Sequence, residues 1–365
     1  MDNLATIAEQ FKPNGRIIDI RRLGNGNINN TFLVTLDSKE NNHFVLQSIN
    51  TRVFPRPDLI MRNMRTFTDH VNRRLAHAPM ITERRWEVPG ILMSNDGQDF
   101  WHDLDGSCWR AISYIENSRS FDTVRDTDHA REVGCALGMF HSLISDLSPE
   151  KLEDTLEGFH ITPRYLQQYK DVISECSADN SDEINYCMRF VNKRTALADV
   201  LEDAKAQGRL CIRPIHGDPK VDNIMIDNAT GHAISIVDLD TVKPGLVHYD
   251  IGDCMRSGCN PLGEETEQFD TVFFDPDLCK AILRGYVSIA NGFLSGNDYD
   301  YMYDTIRLMS FELGMRFFTD YLAGNVYFKA KHQKHNLARA IVQFKLTESI
   351  ESQETAIRAI IRNLR

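Results

Sequence analysis

The sequence predicts a two-lobed α+β protein with an antiparallel sheet at the N-terminus and a mainly helical C-terminal part. Short segments rich in β-branched and apolar residues, separated by Asn/Gly turns, fill the first third of the 365 residues. After residue 115 apolar residues recur instead at three- and four-residue spacing, which is the spacing of a helix face. We therefore predict an N-terminal lobe at 1–113 and a C-terminal lobe at 114–365.

The strands of the first lobe are predicted from composition and turns. They are 16–23 (RIIDIRRL), 31–36 (TFLVTL) and 43–49 (HFVLQSI). A further hairpin is predicted over 99–115, with DLDG at 103–106 as its turn.

The second lobe begins with a predicted helix over 128–146, where one stripe of residues is apolar. Either Asp126 or Asp128 could cap its N-terminus. Three later stretches are also compatible with helices: 181–207, 302–323 and 336–363.

Composition restricts the function classes. A formal charge of −11 argues against general binding to nucleic acid or anionic lipid. No apolar run approaches the roughly 18 residues of a membrane-spanning helix, and the start, MDNLATIAEQF, lacks the features of a signal peptide. The eight cysteines form no CxxC pair. We therefore expect a cytoplasmic protein with reduced thiols and a small-molecule partner, and the sequence does not indicate an oligomeric state.

The strongest chemical signal is HGDPKVDN at 216–223, followed by an apolar hairpin that ends in DLD. Phosphoryl transfer from ATP needs a carboxylate to orient the attacking hydroxyl and oxygen ligands to hold Mg²⁺ against the phosphates. Asp218 suits the base, Asn223 and Asp238 suit the metal, and Lys220 could reach the γ-phosphate. The alternative is an ordinary turn in which Asp218 and Asn223 bond only to backbone groups. Asp240 could bind a second metal ion or cap the next turn.

A glycine-containing turn joins the first two predicted strands. Gly24, Asn25, Gly26 and Asn27 could cover the phosphates of a nucleotide, because glycine lets a hairpin approach closely and exposes N–H groups. The same residues also suit an ordinary type I′ turn, and they match neither a Walker A motif nor a complete GxGxxG fingerprint.

The order of glycine-rich hairpin, hinge, HGDxxxxN and a strand ending in Asp resembles the aminoglycoside phosphotransferase and choline kinase group, which has a protein-kinase-like fold. The resemblance spans most of the chain. Four segments also resemble the N-acetylhexosamine 1-kinase branch of that group, which phosphorylates the anomeric hydroxyl of GlcNAc or GalNAc. They are GNGNINNTFLV, FVLQSIN, VDLDTVKPGLVHYDIGD and GMRFFTDYLAGNVYF.

The resemblance implies roles for further residues. Tyr114 and Glu116 would belong to a hinge whose backbone bonds to adenine, and Asp250 would brace the catalytic loop. Arg316 and Tyr327 would contact the sugar. From spacing alone, Glu312, Arg316 and Asp320 also suit an ion-pair ladder on a helix.

One position departs from general kinase chemistry. The strand where many kinases carry a phosphate-binding lysine reads FVLQS, so Gln47 stands without a charge. Lys220, Arg52 or Arg56 could supply the missing cation. A glutamine at this position is also a point of resemblance to the sugar-kinase branch, which has glutamine at the matching strand position.

Three functions follow as hypotheses. The favoured one is ATP- and Mg²⁺-dependent phosphorylation of an N-acetylhexosamine at its anomeric hydroxyl. The second is phosphorylation of an amino alcohol or aminoglycoside, for which acidic runs at 263–270 and 296–304 could supply carboxylates. The third is a nucleotide-binding regulator without activity, supported only by the missing lysine.

Overall fold

The computed structural model describes residues 2–11, 15–24, 28–38, 42–77, 84–175 and 181–365. Within them, the N-terminal part contains a six-stranded antiparallel sheet in the order β1-β2-β3-β6-β4, with β5 paired to β6. The strands are β1 (Arg16–Arg22), β2 (Asn30–Asp37), β3 (His43–Ile49), β4 (Ile91–Leu92), β5 (Trp101–His102) and β6 (Cys108–Ser113). The three predicted strands and the 103–106 turn are confirmed.

Two helices accompany this sheet, and the sequence analysis predicted neither of them. They are α1 (Asp2–Ala8) and α2 (Pro57–His77). On α2, Ile60, Met64, Phe67 and Val71 are buried at helical spacing. The helix therefore packs between the sheet and the C-terminal part.

The C-terminal part is mainly helical. Its helices are α3 (Thr127–Ile144), α4 (Thr162–Glu175), α5 (Asp182–Asn192), α6 (Val200–Ala206), α7 (Val247–Gly258), α8 (Pro276–Ala290), α9 (Gly296–Asp300), α10 (Met302–Leu322), α11 (His335–Ser352) and α12 (Glu354–Arg362). Two small sheets accompany them, one made of β7 (Ser118–Arg119), β9 (Ile224–Asp227) and β10 (Ala233–Ile236), the other of β8 (Arg213–Ile215) and β11 (Lys243–Gly245). Among the described helices, none combines the length and the apolar character that crossing a membrane requires.

The predicted helices of this part are found, with three refinements. The stretch 181–207 forms two α-helices, α5 and α6, with a short 3-10 helix at Thr195–Leu197 between them. Asp126, not Asp128, caps α3, because its Oδ1 accepts the N–H of His129 at 2.8 Å. The stretch 336–363 forms two helices, α11 and α12, which meet at Gln353.

Glycines let α3 and α8 pack in direct backbone contact. A Cβ atom on Gly134 would lie 1.9 Å from the carbonyl oxygen of Ile282, and one on Gly285 would lie 2.1 Å from that of Arg131. This contact contributes to the core of the C-terminal part. It also holds α3 in place near the 216–223 loop, because His141 of α3 bonds to Asp250 of α7.

The second strand of the predicted apolar hairpin, which was expected to run to DLD at 238–240, is shorter than expected. β10 ends at Ile236, and Asp238 lies on the following loop with φ of +66°, in the left-handed region. The backbone turns at Asp238 instead of continuing the strand to Asp240. The metal-ligand candidate is therefore carried by a tight turn, and not by a strand end.

Candidate active site

The HGD loop lies between β8 and β9, and a buried carboxylate holds its backbone. Asp250 accepts the N–H groups of His216 and Gly217, both at 2.7 Å, and the ring of His141 at 2.8 Å. Burial opposes an ionised carboxylate here, but these hydrogen bonds outweigh it and lower the pKa of Asp250. The position of the loop is thus set from α7, the helix expected to brace it.

The predicted catalytic and metal residues converge beside this loop. The Nζ atom of Lys220 lies 3.9 Å from Oδ2 of Asp218 and 3.3 Å from Oδ2 of Asp222. The Nδ2 group of Asn223 donates to the carbonyl oxygen of Asp218 at 2.7 Å. The amide oxygen is therefore the group that Asn223 can offer to a cation.

The site carries an excess of negative charge. Desolvation and the neighbouring Asp240 raise the pKa of Asp238 to about 6, although the residue is exposed. Desolvation and the carboxylates of Asp253, Asp238 and Asp222 raise the pKa of Asp218 well above its usual range, against the opposing effect of Lys220. Carboxylates that disfavour one another's ionisation in this way suit a bound cation.

The donor set fits Mg²⁺ better than a metal with an all-protein cage. The described ranges contain no group of three or more His, Cys, Asp or Glu side chains arranged to hold a metal ion. Magnesium commonly takes one or two protein carboxylates and completes its shell with phosphate and water oxygens. Asn223 and Asp238 are oxygen donors of this kind.

Gln47 belongs to a buried polar network. Its Oε1 accepts Nε and Nη2 of Arg110 on β6 at 2.9 and 2.8 Å, and its Nε2 donates to Thr31 at 3.0 Å. Arg110 also pairs with Asp240, whose Oδ2 accepts Nδ2 of Asn29 at 2.7 Å. Both ends of the Gln47 amide are engaged, so a nucleotide contact would use the second hydrogen of Nε2.

This network also gives Asp240 a partner that the sequence analysis did not consider. Asp240 is 2% exposed, and its carboxylate contacts Arg110 and Asn29. Arg56 is bound instead to Asp58, at 2.8 and 2.9 Å. Arg52 is exposed and lines a cavity of about 490 Å³ beside Tyr327.

The predicted hinge lies where β6 passes into β7. Tyr114 packs edge-on against His43 at 5.6 Å, and the same His43 contacts Oε1 of Glu116 at 2.8 Å. The carbonyl oxygen of Glu116 accepts Nη2 of Arg85 at 2.9 Å. The carbonyl oxygen of Ile115 likewise accepts the hydroxyl of Ser118 at 2.6 Å, so side chains hold the backbone of the predicted hinge at two places.

Only part of the glycine-containing turn lies in the described residues. Gly24 has φ of +67°, and Leu23 donates its N–H to the carbonyl oxygen of Thr31 at 2.9 Å, which closes the β1–β2 hairpin. The predictions for Asn25, Gly26 and Asn27 lie outside the described residues.

Arg316 lies on α10 within a cluster of four aromatic rings. Its guanidinium carbon is 4.7 Å from the ring centre of Tyr165, 5.1 Å from Phe159, 5.4 Å from Phe328 and 5.9 Å from Tyr327. Only 10% of the side chain is exposed. Arg316 and Tyr327, the two predicted sugar contacts, are therefore brought together, and we call these rings with Arg316 the aromatic cluster.

Only the first half of the predicted ion-pair ladder is found in the described residues. Nη1 of Arg316 and Oε1 of Glu312 form an ion pair at 3.9 Å. Asp320 instead accepts the N–H groups of three consecutive residues, Val326, Tyr327 and Phe328, at 2.7 to 3.0 Å. Each acidic residue therefore holds a different segment, and Asp320 fixes the loop that carries Tyr327.

Two residues of the site were missed from the sequence. Arg110 had a local signal, since it is the one charged residue in the otherwise uncharged segment CWRAIS at 108–113. Asp320 had no usable signal, because the N–H groups that donate to it lie on a loop whose path cannot be predicted from residue spacing. In both cases the partner is distant in sequence or irregular in structure.

Comparisons with known proteins agree with this geometry. The phosphotransferase enzyme family (APH) matches residues 19–279, which is more than half of the chain. Among solved structures, a microcompartment-associated aminopropanol kinase aligns with a TM-score of 0.62 at 16% identity, covering 97% of this chain and 98% of that one. A choline kinase from Cryptosporidium parvum Iowa II aligns with a TM-score of 0.62 at 13% identity over 99% and 98% of the two chains.

A third structure contains a nucleotide analogue and a divalent ion. It is an amicoumacin kinase in complex with AMP-PNP, Ca²⁺ and Ami, with a TM-score of 0.58 at 13% identity over 92% of this chain and 88% of that one. At these identities the structures establish the protein-kinase-like two-lobed fold, and the family match establishes the reaction class. The chain belongs to the phosphotransferase enzyme (APH) family and is a small-molecule kinase.

Proposed function

We propose that this kinase uses ATP and Mg²⁺ to phosphorylate the anomeric hydroxyl of an N-acetylhexosamine, GlcNAc or GalNAc. The observation that carries the proposal is the aromatic cluster. Aromatic rings grouped in this way attract cations, and here the chain's own Arg316 already fills the space between them. A neutral acceptor with hydroxyl and amide groups suits such a site, whereas a cationic acceptor would meet a positive charge.

The first acidic run gives little support to a cationic acceptor. Within 263–270, Glu265 is bound by Lys331, His335 and Arg339. Burial opposes its charge, but these bonds outweigh burial and lower the pKa of Glu265 to about 2. This carboxylate is thus neutralised by the protein itself.

The second run is engaged in the same way. Asp298 of 296–304 is buried, and it pairs with Arg213 at 3.0 Å while capping α9 through Ser295. Asp300 pairs with Arg365 at 2.7 Å. These contacts favour a structural role for both runs over binding of a cationic acceptor. The likeness to the aminopropanol and choline kinases then concerns the fold alone.

The proposed chemistry assigns one role to each residue. Asp218 accepts the proton of the C1 hydroxyl as that oxygen attacks the γ-phosphorus in line, and the bond to the β–γ bridging oxygen breaks. The products are the sugar 1-phosphate and ADP. Asn223 and Asp238 would hold Mg²⁺, which neutralises phosphate charge, and Lys220 would contribute positive charge beside it.

The remaining assignments concern binding. Arg316 and Tyr327 would contact the sugar, and the hinge from Tyr114 to Glu116 would meet adenine. Gly24 and the turn after it would cover the phosphates. We place the lobe boundary after residue 113, where β6 ends, and expect the protein to act in the cytoplasm.

The test is a panel of acceptors incubated with the purified chain, ATP and Mg²⁺, with ADP release as the signal. The panel contains GlcNAc, GalNAc, glucose, galactose, choline, aminopropanol and kanamycin. We expect turnover with the two N-acetylhexosamines and loss of turnover in Asp218→Asn. Turnover restricted to choline, aminopropanol or kanamycin would overturn the proposed acceptor and favour the amino-alcohol or aminoglycoside alternative.

A matched substrate tests the position of phosphorylation. The methyl glycosides of GlcNAc and GalNAc keep every hydroxyl except the anomeric one. We expect them to give no ADP, and phosphorylation of either would place the reaction at another hydroxyl.

A further inference from the structure

His160 lies between two hydrogen-bond acceptors in the loop before α4. Its Nδ1 is 2.9 Å from Oε1 of Glu312, and its Nε2 is 2.6 Å from the carbonyl oxygen of Gly217. The second oxygen of Glu312 accepts the hydroxyl of Thr162 at 2.6 Å. Two acceptors at the two nitrogens require a hydrogen on each, which is the imidazolium form.

The geometry identifies the carboxylate of Glu312 as the acceptor in this contact. Its Oε1 atom, which faces His160, also lies 3.9 Å from Nη1 of Arg316, and its Oε2 atom accepts the hydroxyl of Thr162. Because donors face both oxygens of Glu312, His160 is the donor on both sides.

The surroundings of the ring also suit a cation. The ring contacts Phe159, with 3.9 Å between ring centres, and Tyr249, at 5.4 Å. The hydroxyl of Tyr249 donates to Glu202, and Nη1 of Arg316 lies 3.9 Å from Oε1 of Glu312. Aromatic rings close to a cation stabilise its charge in a buried position.

The backbone is bent to deliver this ring. His160 has φ of +65°, and Gly158 has φ of +80°. Few residues other than glycine adopt such angles, and they persist where the surrounding structure requires them. The side chain of His160 is 3% exposed, so the turn directs it inward, toward the HGD loop.

The bond to Gly217 completes the restraint on the peptide that precedes Asp218. Gly217 donates its N–H to Oδ1 of Asp250 at 2.7 Å and offers its carbonyl oxygen to His160. Its φ of +89° leaves no room for a side chain, because a Cβ atom would lie 2.7 Å from the carbonyl oxygen of Thr241. Both polar groups of Gly217 are therefore held, one from α7 and one from His160.

We propose that His160 is a positioning residue, which as an imidazolium links Glu312 on α10 to the peptide that carries Asp218. Arg316 lies one turn after Glu312 on the same helix, so the acceptor side of the cleft and the predicted base share one rigid connection. The inference rests on the proposed role of Asp218 as base. His160 touches neither ATP nor acceptor in this scheme; it orients the base for phosphoryl transfer.

Two variants separate its two hydrogen bonds. The side-chain nitrogen of glutamine lies near the position of Nε2, and that of asparagine lies near Nδ1. His160→Gln therefore keeps a donor toward Gly217, whereas His160→Asn keeps only the donor toward Glu312. With the acceptor that the panel identifies, we expect kcat of His160→Asn to fall about 10- to 100-fold, with little change in KM for ATP. In His160→Gln we expect kcat to stay within about threefold of the native protein.

The same variants can overturn the inference. Equal losses of kcat that follow a common fall in Tm would mean that His160 only fills space, and unchanged kcat in both variants would mean that the link does not orient the base. If neither variant folds, ¹⁵N-histidine NMR of the native chain decides the matter without turnover.

In that spectrum we expect both ring nitrogens of His160 to show protonated-type shifts at neutral pH. A neutral ring at His160 would overturn the inference. Failure of the proposed function looks different: the panel would be silent, or Asp218→Asn would stay active, while the NMR signal of His160 remained that of an imidazolium.

Discussion

The guanidinium of Arg110 on β6 lies 2.5 Å from Oδ1 of Asp240, so the N-terminal sheet and the loop after β10 share a buried ion pair. Arg110 is 1% exposed, and Asp240 stands two residues after Asp238. The pair thus connects the strand beside Gln47 with the turn that carries the proposed metal ligand.

Breaking this pair on one side is expected to destabilise the fold strongly. In Arg110→Met the carboxylate of Asp240 stays buried without its cation, which we expect to cost about 3–5 kcal/mol of unfolding free energy. Adding Asp240→Asn should recover part of the loss, because the second charge is then removed as well. Urea denaturation of the two single variants and the double variant measures both effects.

The exposed pair of Arg56 and Asp58 serves as the control, and Arg56→Met should change stability little. Additive losses for Arg110→Met and Asp240→Asn would contradict an energetic link between these two residues.

Removing the cation from the aromatic cluster is expected to change acceptor preference. Arg316→Ala leaves the four rings around an open space, so we expect at least tenfold weaker use of N-acetylhexosamines, about 1.4 kcal/mol, and new binding of choline. Calorimetric titration of choline into the native protein and the variant tests the second effect. Arg358→Ala on α12, where the arginine pairs with Glu354, is the control and should resemble the native protein.

His248 gives the stability a defined dependence on pH. Burial lowers its pKa to about 4 from an ordinary value of 6.5, against the opposing effect of Asp298. The folded protein therefore keeps a neutral ring while the unfolded chain takes up a proton. The resulting contribution of His248 to the free energy of unfolding is fully present above pH 6.5 and is lost as the pH falls toward 4. It amounts to about 3 kcal/mol.

His248→Gln should flatten the acid side of the stability curve by about that amount, since glutamine can still donate to the carbonyl oxygen of Asp298 and does not titrate. Urea denaturation between pH 8 and pH 4 measures the slope. A curve parallel to that of the native protein would show that other groups cause the acid sensitivity.

The contact between α3 and α8 is expected to tolerate no side chain. Gly134→Ala would place a methyl group 1.9 Å from the carbonyl oxygen of Ile282, so the helices must separate, and we expect a loss of about 3 kcal/mol or more. Gly292→Ala is the control, because a Cβ atom there meets nothing within 4 Å. Thermal unfolding of both variants checks the difference, and similar Tm values would contradict a close contact at Gly134.

Local sequence signals predicted those strands and helices in which the spacing of apolar residues and the flanking turn or cap residues indicate the same element. The strands β1 to β3 were predicted from β-branched composition, and α3 from its apolar stripe. The sequence left Asp126 and Asp128 as alternative caps of α3, and the structure uses Asp126. The same kind of signal existed for α2, where Ile60, Met61, Met64, Phe67 and Val71 have helical spacing. It was overlooked because the surrounding segments are strands.

The site was predictable as far as its chemistry is contained in one motif. Asp218, Lys220 and Asn223 come together because they lie on one loop, with Asn223 five positions after Asp218. The partners of Asp240 and Asp320 were not predictable, because they depend on how β6 and the loop at 326–328 meet other parts of the chain. His160 likewise reaches Gly217 across 57 positions, a distance that spacing rules do not cover.

A guanidinium within the aromatic cluster has a consequence for cells exposed to antibiotics. Kanamycin carries several positive charges, and Arg316 would repel it from the acceptor end of the cleft. Bacteria that produce this chain should therefore have the same minimum inhibitory concentration of kanamycin as bacteria without it. In the proposed role of Arg316, one buried arginine would thus keep the kinase from acting on this antibiotic.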